Sequence, residues 1–188
     1  MTKEKSLTVE KIMVIETNRL INTYDSGFEA AIAADSNFMR FRSLPITSHL
    51  TYKQAMLMFN CLNERRFSAG QTIYEAGTPS NNTMYLILSG SIAANNGNGH
   101  RFNALKVGDV FGLFSFLDED RSHSATLVAE EDSVALCIDR PYFDVITLED
   151  PALGTQLLRF MFHLLSRMAL KQEVEYANIH DFALGIRH

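Results

Sequence analysis

The chain has 188 residues with a formal net charge of −5, and 46% of its residues are hydrophobic against 21% charged. This composition is typical of one globular domain with appended helices, and it excludes a disordered or fibrous chain. With a net negative charge, the composition gives no sign of the clustered Lys and Arg side chains that bind nucleic-acid phosphates. No apolar run approaches the ~20 residues of a membrane span.

The first 40 residues have helical apolar spacing and no strand alternation. A loose apolar stripe runs through residues 9–21, and good helix formers follow over residues 30–34. Thr51 and Gln54 then have the spacing of a capping box at the start of another helix. The basic N-terminus lacks the apolar core and cleavage site of a signal peptide, so we expect a cytoplasmic protein.

From about residue 64 the pattern changes to short strands separated by glycines. Residues 84–88 form an apolar strand that Ser89-Gly90 ends, and residues 95–99 carry the Asn-Gly signal of a hairpin. Residues 66–74 are expected to form a short strand, a Gly turn and another strand, and further strands are expected over residues 91–94, 105–112, 124–128 and 134–138. This pattern predicts a small all-β barrel or roll.

The end of the chain is predicted to be one long helix. Asp139-Arg140-Pro141 is expected to start a short helix before it. Asp150-Pro151 has the sequence of the start of the long helix, which should run to roughly Asn178. Its apolar residues recur every three or four positions, as in the seam of a helix pair. We therefore predict a homodimer through this helix, with a protein partner as a further possibility. The seam residues would be Leu157, Met161, Leu164 and Met168.

Six short motifs stand in order between residues 66 and 133. They are Arg66-Phe67-x-x-Gly70, Ile73-x-x-x-Gly77, Met84-Tyr85-Leu86-Ile87-Leu88-Ser89-Gly90, Gly108-Asp109-Val110-Phe111-Gly112, Ser124-Ala125-Thr126-Leu127-x-Ala129 and Glu131-Asp132-Ser133. With these motifs, residues from about 41 to 178 resemble the cyclic-nucleotide-binding domain of the catabolite activator protein, of protein kinase A regulatory subunits and of nucleotide-gated channels.

The resemblance implies a mainly β fold with flanking helices. It would be an eight-stranded antiparallel β-roll, similar to a jelly roll, with N-terminal helices and a long C-terminal helix. We expect three parts: a helical extension at residues 1–40, the roll at 41–150, and the long helix with its tail at 151–188.

In that family, the segment between Phe-Gly and Ser-Ala-Thr is the phosphate-binding cassette, a turn and a short helix. Its backbone N–H groups bind an anion, an Arg contacts the cyclic phosphate, and a Glu accepts the ribose 2′-hydroxyl. The resemblance places the ligand-binding residues here at Phe111, Gly112, Leu113, Phe114, Ser115, His123, Ser124, Ala125 and Thr126.

Two positions of this cassette depart from the family pattern. Leu113 follows Phe-Gly where the family has Glu, and His123 stands three residues before Thr126 where the family has Arg. Losing the bidentate Arg contact typically removes ~1.5–3 kcal/mol, roughly ten- to hundredfold in affinity. An apolar Leu also leaves the ribose hydroxyl unpaired. We therefore expect no tight binding of cyclic AMP or cyclic GMP.

Several roles stay open for these residues. His123 is either a weak phosphate partner when protonated or a simple loop residue, and Arg121 is either its substitute or an exposed side chain. The apolar cassette residues either line a pocket for another ligand or collapse inward and fill it: Leu113, Phe114, Phe116 and Leu117.

No motif indicates catalytic residues or a metal site, so the sequence predicts a non-enzymatic sensory or regulatory module. No cofactor is predicted beyond a possible cyclic nucleotide or other small ligand. The alternative is a ligand-free scaffold that uses the same fold to dimerise or to dock a partner.

Overall fold

The computed structural model of the chain describes residues 26–118 and 120–183. Its N-terminal helices are α1 (Ser26–Ala33), α2 (Ser36–Ser43) and α3 (Tyr52–Asn60), with a 3-10 turn at Pro45–Thr47. The strands are β1 (Asn63–Phe67), β2 (Thr72–Tyr74), β3 (Thr83–Ser89), β4 (Ile92–Asn95), β5 (Arg101–Leu105), β6 (Val110–Phe111), β7 (Thr126–Ala129) and β8 (Ser133–Asp139). The remaining helices are α4 (Leu113–Leu117), α5 (Arg140–Glu149) and α6 (Pro151–Ala183).

Within these residues, eight strands form two antiparallel sheets of four, ordered β1-β8-β3-β6 and β2-β7-β4-β5. Strand β3 has a partner on each side, so Tyr85 lies opposite both Phe111 of β6 and Cys137 of β8. The predicted eight-stranded antiparallel roll with helices on either side is confirmed. The first 25 residues of the predicted helical extension lie outside the described residues.

Side-chain caps fix the ends of three helices where the sequence predicts them. Thr51 and Gln54 form both hydrogen bonds of the capping box of α3. Asp139 accepts from the backbone N–H of Tyr142 at the start of α5, at 2.9 Å. Asp150 accepts from the N–H of Leu153 at 2.9 Å and begins α6, which runs five residues beyond the predicted end at Asn178. Each cap satisfies N–H groups that have no partner inside the helix.

The apolar side chains form two cores, one on each face of β3. Met84, Leu86 and Leu88 point into a core shared with the helices, whereas Tyr85 and Ile87 point into the roll interior. This alternation follows from the period of two along a strand. A central strand covered on both faces needs a continuous apolar run, which explains the sequence of residues 84–88.

The row of residues predicted as a dimer seam is instead covered by the chain itself. Leu157, Met161 and Leu164 are only 1%, 4% and 3% exposed and belong to the helical core, and Met168 packs partly against the same core. These side chains are therefore not available as a seam. Helical spacing identified a buried face correctly, but it did not identify the partner that buries it. Dimerisation itself stays a prediction and would need another face of α6.

Among the described residues, no helix has the length and hydropathy needed to span a membrane.

Candidate functional site

The cassette begins with a sharp turn at Gly112, directly after β6. Gly112 has a φ of +74°, and a Cβ added there would lie 2.2 Å from the carbonyl oxygen of Thr83 in β3. Only glycine allows both this left-handed conformation and this close approach. The turn leads into the single helical turn α4, in which Phe116 donates its N–H to the carbonyl of Gly112 at 2.9 Å.

The side chains of α4 point in two directions. Leu113 and Phe116 are each 1% exposed and pack into the helical core, not into the roll interior. Phe114 and Leu117 point outward and are 42% and 46% exposed. Ser115 is buried, and its carbonyl accepts from the hydroxyl of Ser80 at 3.2 Å. The structure therefore places Leu113, at the position where the family has Glu, away from the roll interior.

Helix α4 is joined to α5 through Phe116. The Phe116 ring packs edge-on against Phe143 at a centroid distance of 5.6 Å. The Phe116 carbonyl accepts from Nη1 of Arg140 at 3.2 Å. These two contacts connect the cassette directly to the helix that follows the roll.

His123 lies inside the site and is only 4% exposed. Its ring stacks on Tyr74, with centroids 3.7 Å apart and an interplanar angle of 7°. Its backbone pairs with the segment after β2: His123 donates to Thr78 at 3.0 Å and accepts from Gly77 at 2.8 Å. Burial lowers the pKa of His123, because desolvation disfavours the protonated imidazole.

The residues around His123 are dispersed between surface and interior. Ser124 is exposed, whereas Ala125 is buried in the roll interior. The hydroxyl of Thr126 accepts from the N–H of Ala76 at 3.0 Å. Arg121 is also exposed, with its guanidinium 5.6 Å from the centroid of the Phe114 ring, so it does not turn inward as a substitute for His123.

A series of aromatic rings crosses the roll interior, and the sequence analysis missed most of it. Phe111 stacks on Tyr85 at a centroid distance of 4.6 Å and lies 6.3 Å from Tyr74, while Tyr85 contacts Phe67 at 6.1 Å. The alternation along β3 could have revealed Tyr85. Tyr74 could not be placed in this way, because the register of β2 with β7 shifts between Thr72 and Tyr74.

Burial raises the pKa of both tyrosines, and the nearby Tyr85 adds to the effect on Tyr74. The Tyr85 hydroxyl accepts from the side-chain amide of Asn81 at 3.0 Å. Both rings are therefore neutral, and they offer stacking faces rather than charge.

The cysteines offer no reactive thiolate. Cys61 and Cys137 are both free and buried. Burial raises the pKa of Cys61 to about 12, with a smaller contribution from Asp150, and burial also raises the pKa of Cys137. In addition, the described residues contain no group of three or more His, Cys, Asp or Glu side chains arranged to hold a metal ion.

The roll, the cassette turn and the following helices can be compared with known proteins. Residues 64–150 match the family model of the cyclic nucleotide-binding domain. Such domains are typically non-catalytic regulatory modules. No curated protein matches the chain.

Solved structures share the fold at low sequence identity. The catabolite activator protein of Thermus thermophilus is 24% identical with a TM-score of 0.54, over 72% of this chain and 63% of that one. The regulatory subunit of a cAMP-independent protein kinase A from Trypanosoma brucei is 22% identical with a TM-score of 0.56, over 76% of this chain and 47% of that one. A cyclic nucleotide-binding domain from Methylobacillus flagellatus is 15% identical with a TM-score of 0.60, over 85% and 86%.

The lowered pKa of His123 predicts an acid-sensitive fold. An unfolded imidazole titrates near ~6.5, so as the pH falls the unfolded state takes up a proton before the folded state does. The contribution of His123 to stability is therefore full above that pH and is lost below it. Desolvation, and then the charge of His163, also lower the pKa of His49, so this residue adds to the same trend.

We expect the free energy of unfolding to fall between pH 7.5 and pH 5.5, and to fall less in His123→Phe. This variant keeps the stacked ring but cannot titrate. Urea unfolding at the two pH values measures the effect, and His49→Gln serves as the control for the second histidine. An unchanged pH dependence in His123→Phe would rule out the assigned cause.

Proposed function

We propose that the chain is a non-enzymatic sensory or regulatory module that binds cyclic AMP and cyclic GMP poorly. The proposal rests on the surroundings of the two side chains that differ from the family pattern. Leu113 is packed in the helical core, and His123 is stacked on Tyr74. Neither side chain supplies the carboxylate or the permanent cation that the family pattern uses.

The energetic argument follows from these contacts. A phosphate at the cassette would meet an imidazole whose lowered pKa favours the neutral form, and one face of this ring is already in contact with Tyr74. A charged hydrogen bond is typically worth ~1.5–3 kcal/mol, so its loss alone weakens binding roughly ten- to hundredfold. A ribose hydroxyl without its acceptor adds a further penalty.

The Trypanosoma brucei relative gives independent support for a regulatory role without cyclic AMP. That protein has the same fold and is described as part of a cAMP-independent protein kinase A. We propose the same class of function for this chain, a regulatory role without cyclic AMP. A cytoplasmic location agrees with its two free, buried thiols.

A ligand-free scaffold is the second candidate function. It is favoured by the aromatic side chains that pack together inside the roll: Phe67, Tyr74, Tyr85 and Phe111. In this second function the roll is a rigid support, and α6 provides the surface that dimerises or binds a partner.

The proposal includes a homodimer through α6, formed by a face that the chain leaves uncovered. Leu158 and Phe162 are 38% and 67% exposed, and Tyr176 and Ile179 are 72% and 67% exposed. Steps of three and four residues connect them through Ala169, Gln172 and Leu165, the last of which is partly buried against the helical core. This spacing is that of a coiled-coil seam.

Isothermal calorimetry with cyclic AMP and cyclic GMP tests the proposed function. For the unmodified protein we expect no saturable heat at nucleotide concentrations up to about 100 µM. His123→Arg should gain affinity, and His123→Gln, which replaces the ring with another uncharged side chain, should not. Submicromolar binding by the unmodified protein would contradict the proposal and would show that the cassette works without Glu and Arg.

A further inference from the structure

A cavity of about 260 Å³ lies outside the cassette, between α6 and the turn that joins β5 to β6. Its apolar lining consists of Ile46, Val110, Leu164 and Met168, of which the first three are no more than 5% exposed. Gly108 and three charged residues, Asp109, Arg167 and Lys171, complete the lining. The cavity therefore combines an apolar floor with a charged rim.

The charges of the rim do not cancel. Lys171 pairs with Asp109 at 3.3 Å, and the same carboxylate accepts from the backbone N–H of Lys106 at 2.9 Å. Arg167 lies one turn before Lys171 and is exposed. It forms no hydrogen bond or ion pair with any residue that the structure describes. Two cations and one carboxylate thus leave one positive charge uncompensated, and Arg167 carries it.

Two histidines lie next to this rim. His163 is one turn before Arg167 on α6 and packs against His49, with ring centroids 4.3 Å apart. Both are exposed, and neither lines the cavity. They add no negative charge, so Asp109 remains the one acidic group in the lining, and it is already paired.

We infer that this cavity binds a small amphiphilic monoanion, namely a short-chain or aromatic carboxylate. The carboxylate would pair with the guanidinium of Arg167, whose planar donors match carboxylate geometry. The apolar part would cover the floor formed by Val110, Leu164 and Met168. The volume lies just below the about 300–1,000 Å³ typical of pockets for drug-sized ligands, which favours a small ligand.

Because of the position of the cavity, a bound ligand would contact both β6 and α6. Val110 belongs to β6, two residues before the cassette turn at Gly112, and Leu164 and Met168 belong to α6. A bound carboxylate would contact both elements and hold α6 against the roll. This site goes beyond the proposed function and does not depend on whether the cassette binds a cyclic nucleotide.

Hexanoate is the probe for this site, and its binding is measured by calorimetry and by thermal shift on the full chain. We expect a Kd of roughly 5 mM or tighter, which lies well within the ligand efficiency that eight non-hydrogen atoms allow. Acetate lacks the apolar tail and hexanamide lacks the charge, so each should bind at least about tenfold more weakly, as the loss of a charged hydrogen bond or of buried apolar area requires.

Arg167→Gln should weaken hexanoate binding at least about tenfold and leave the melting temperature of the free protein unchanged. Arg159→Gln is the matched control, because Arg159 is an exposed arginine of the same helix outside the cavity lining. Absence of hexanoate binding at about 10 mM, or equal binding by Arg167→Gln, would overturn the inference. Neither result alters the cyclic-nucleotide calorimetry, so the two proposals fail separately.

Discussion

Gly112→Ala is expected to destabilise the protein by about 3 kcal/mol or more, because two penalties act at once. The left-handed conformation costs an L-residue about 1–2 kcal/mol. The new Cβ would lie 2.2 Å from the Thr83 carbonyl oxygen, which forces the backbone of β3 and the cassette apart. Overpacking of this kind typically costs another ~1–3 kcal/mol.

Gly77→Ala separates these two penalties. Gly77 has a φ of +80°, close to that of Gly112, but nothing lies within 4 Å of its added Cβ. This variant should therefore lose only the conformational part, about 1–2 kcal/mol. Urea unfolding of both variants measures the difference. Equal losses would mean that Gly112 does not make the close contact with β3 on which the cassette geometry depends.

Leu157→Asp is expected to unfold the protein, whereas Leu158→Asp is expected to leave it folded. Leu157 is 1% exposed in the helical core, and its neighbour Leu158 is 38% exposed. Removing a buried leucine typically costs ~2–5 kcal/mol, and burying an unpaired carboxylate adds to this loss. At Leu158 the new carboxylate stays in water, so the loss should stay below about 1 kcal/mol.

Circular dichroism and light scattering on this adjacent pair also locate the dimer contact. If α6 dimerises through its exposed face, Leu158→Asp should be a folded monomer while the unmodified protein is a dimer. A folded, monomeric Leu157→Asp would instead restore the seam that the sequence first predicted, and it would contradict the packing of Leu157 into the chain's own core.

The contacts of Phe116 connect the cassette to α6. Phe116 lies in the core that also contains Leu157 and Leu164 of α6, and it touches Phe143 of α5 directly. A structural change at the cassette and a structural change at α6 would therefore both displace the same packed side chains. Close-packed interiors transmit such shifts because they contain few voids that can absorb them.

The sequence by itself determined most of the elements and their order. It assigned residues 105–112 to one stretch, where the structure has β5 (Arg101–Leu105), a turn and β6 (Val110–Phe111). Thr51, Asp139 and Asp150 marked helix starts because a cap depends only on residues within one helical turn. The apolar run of β3 and the Asn-Gly hairpin between β4 and β5 are equally local signals. The resemblance carried by six motifs then implied the eight-stranded roll, since no single strand fixes the order of the strands.

Only the tertiary structure decided which surface covers each apolar side chain. Leu113 lies in the helical core, Tyr74 stacks on His123, and Leu157 packs within its own chain. Periodicity shows which residues share a face of a helix or a strand, but the partner of that face comes from distant segments. At Tyr74 even the face depended on the register shift against β7, which follows from pairing between strands that lie far apart in sequence.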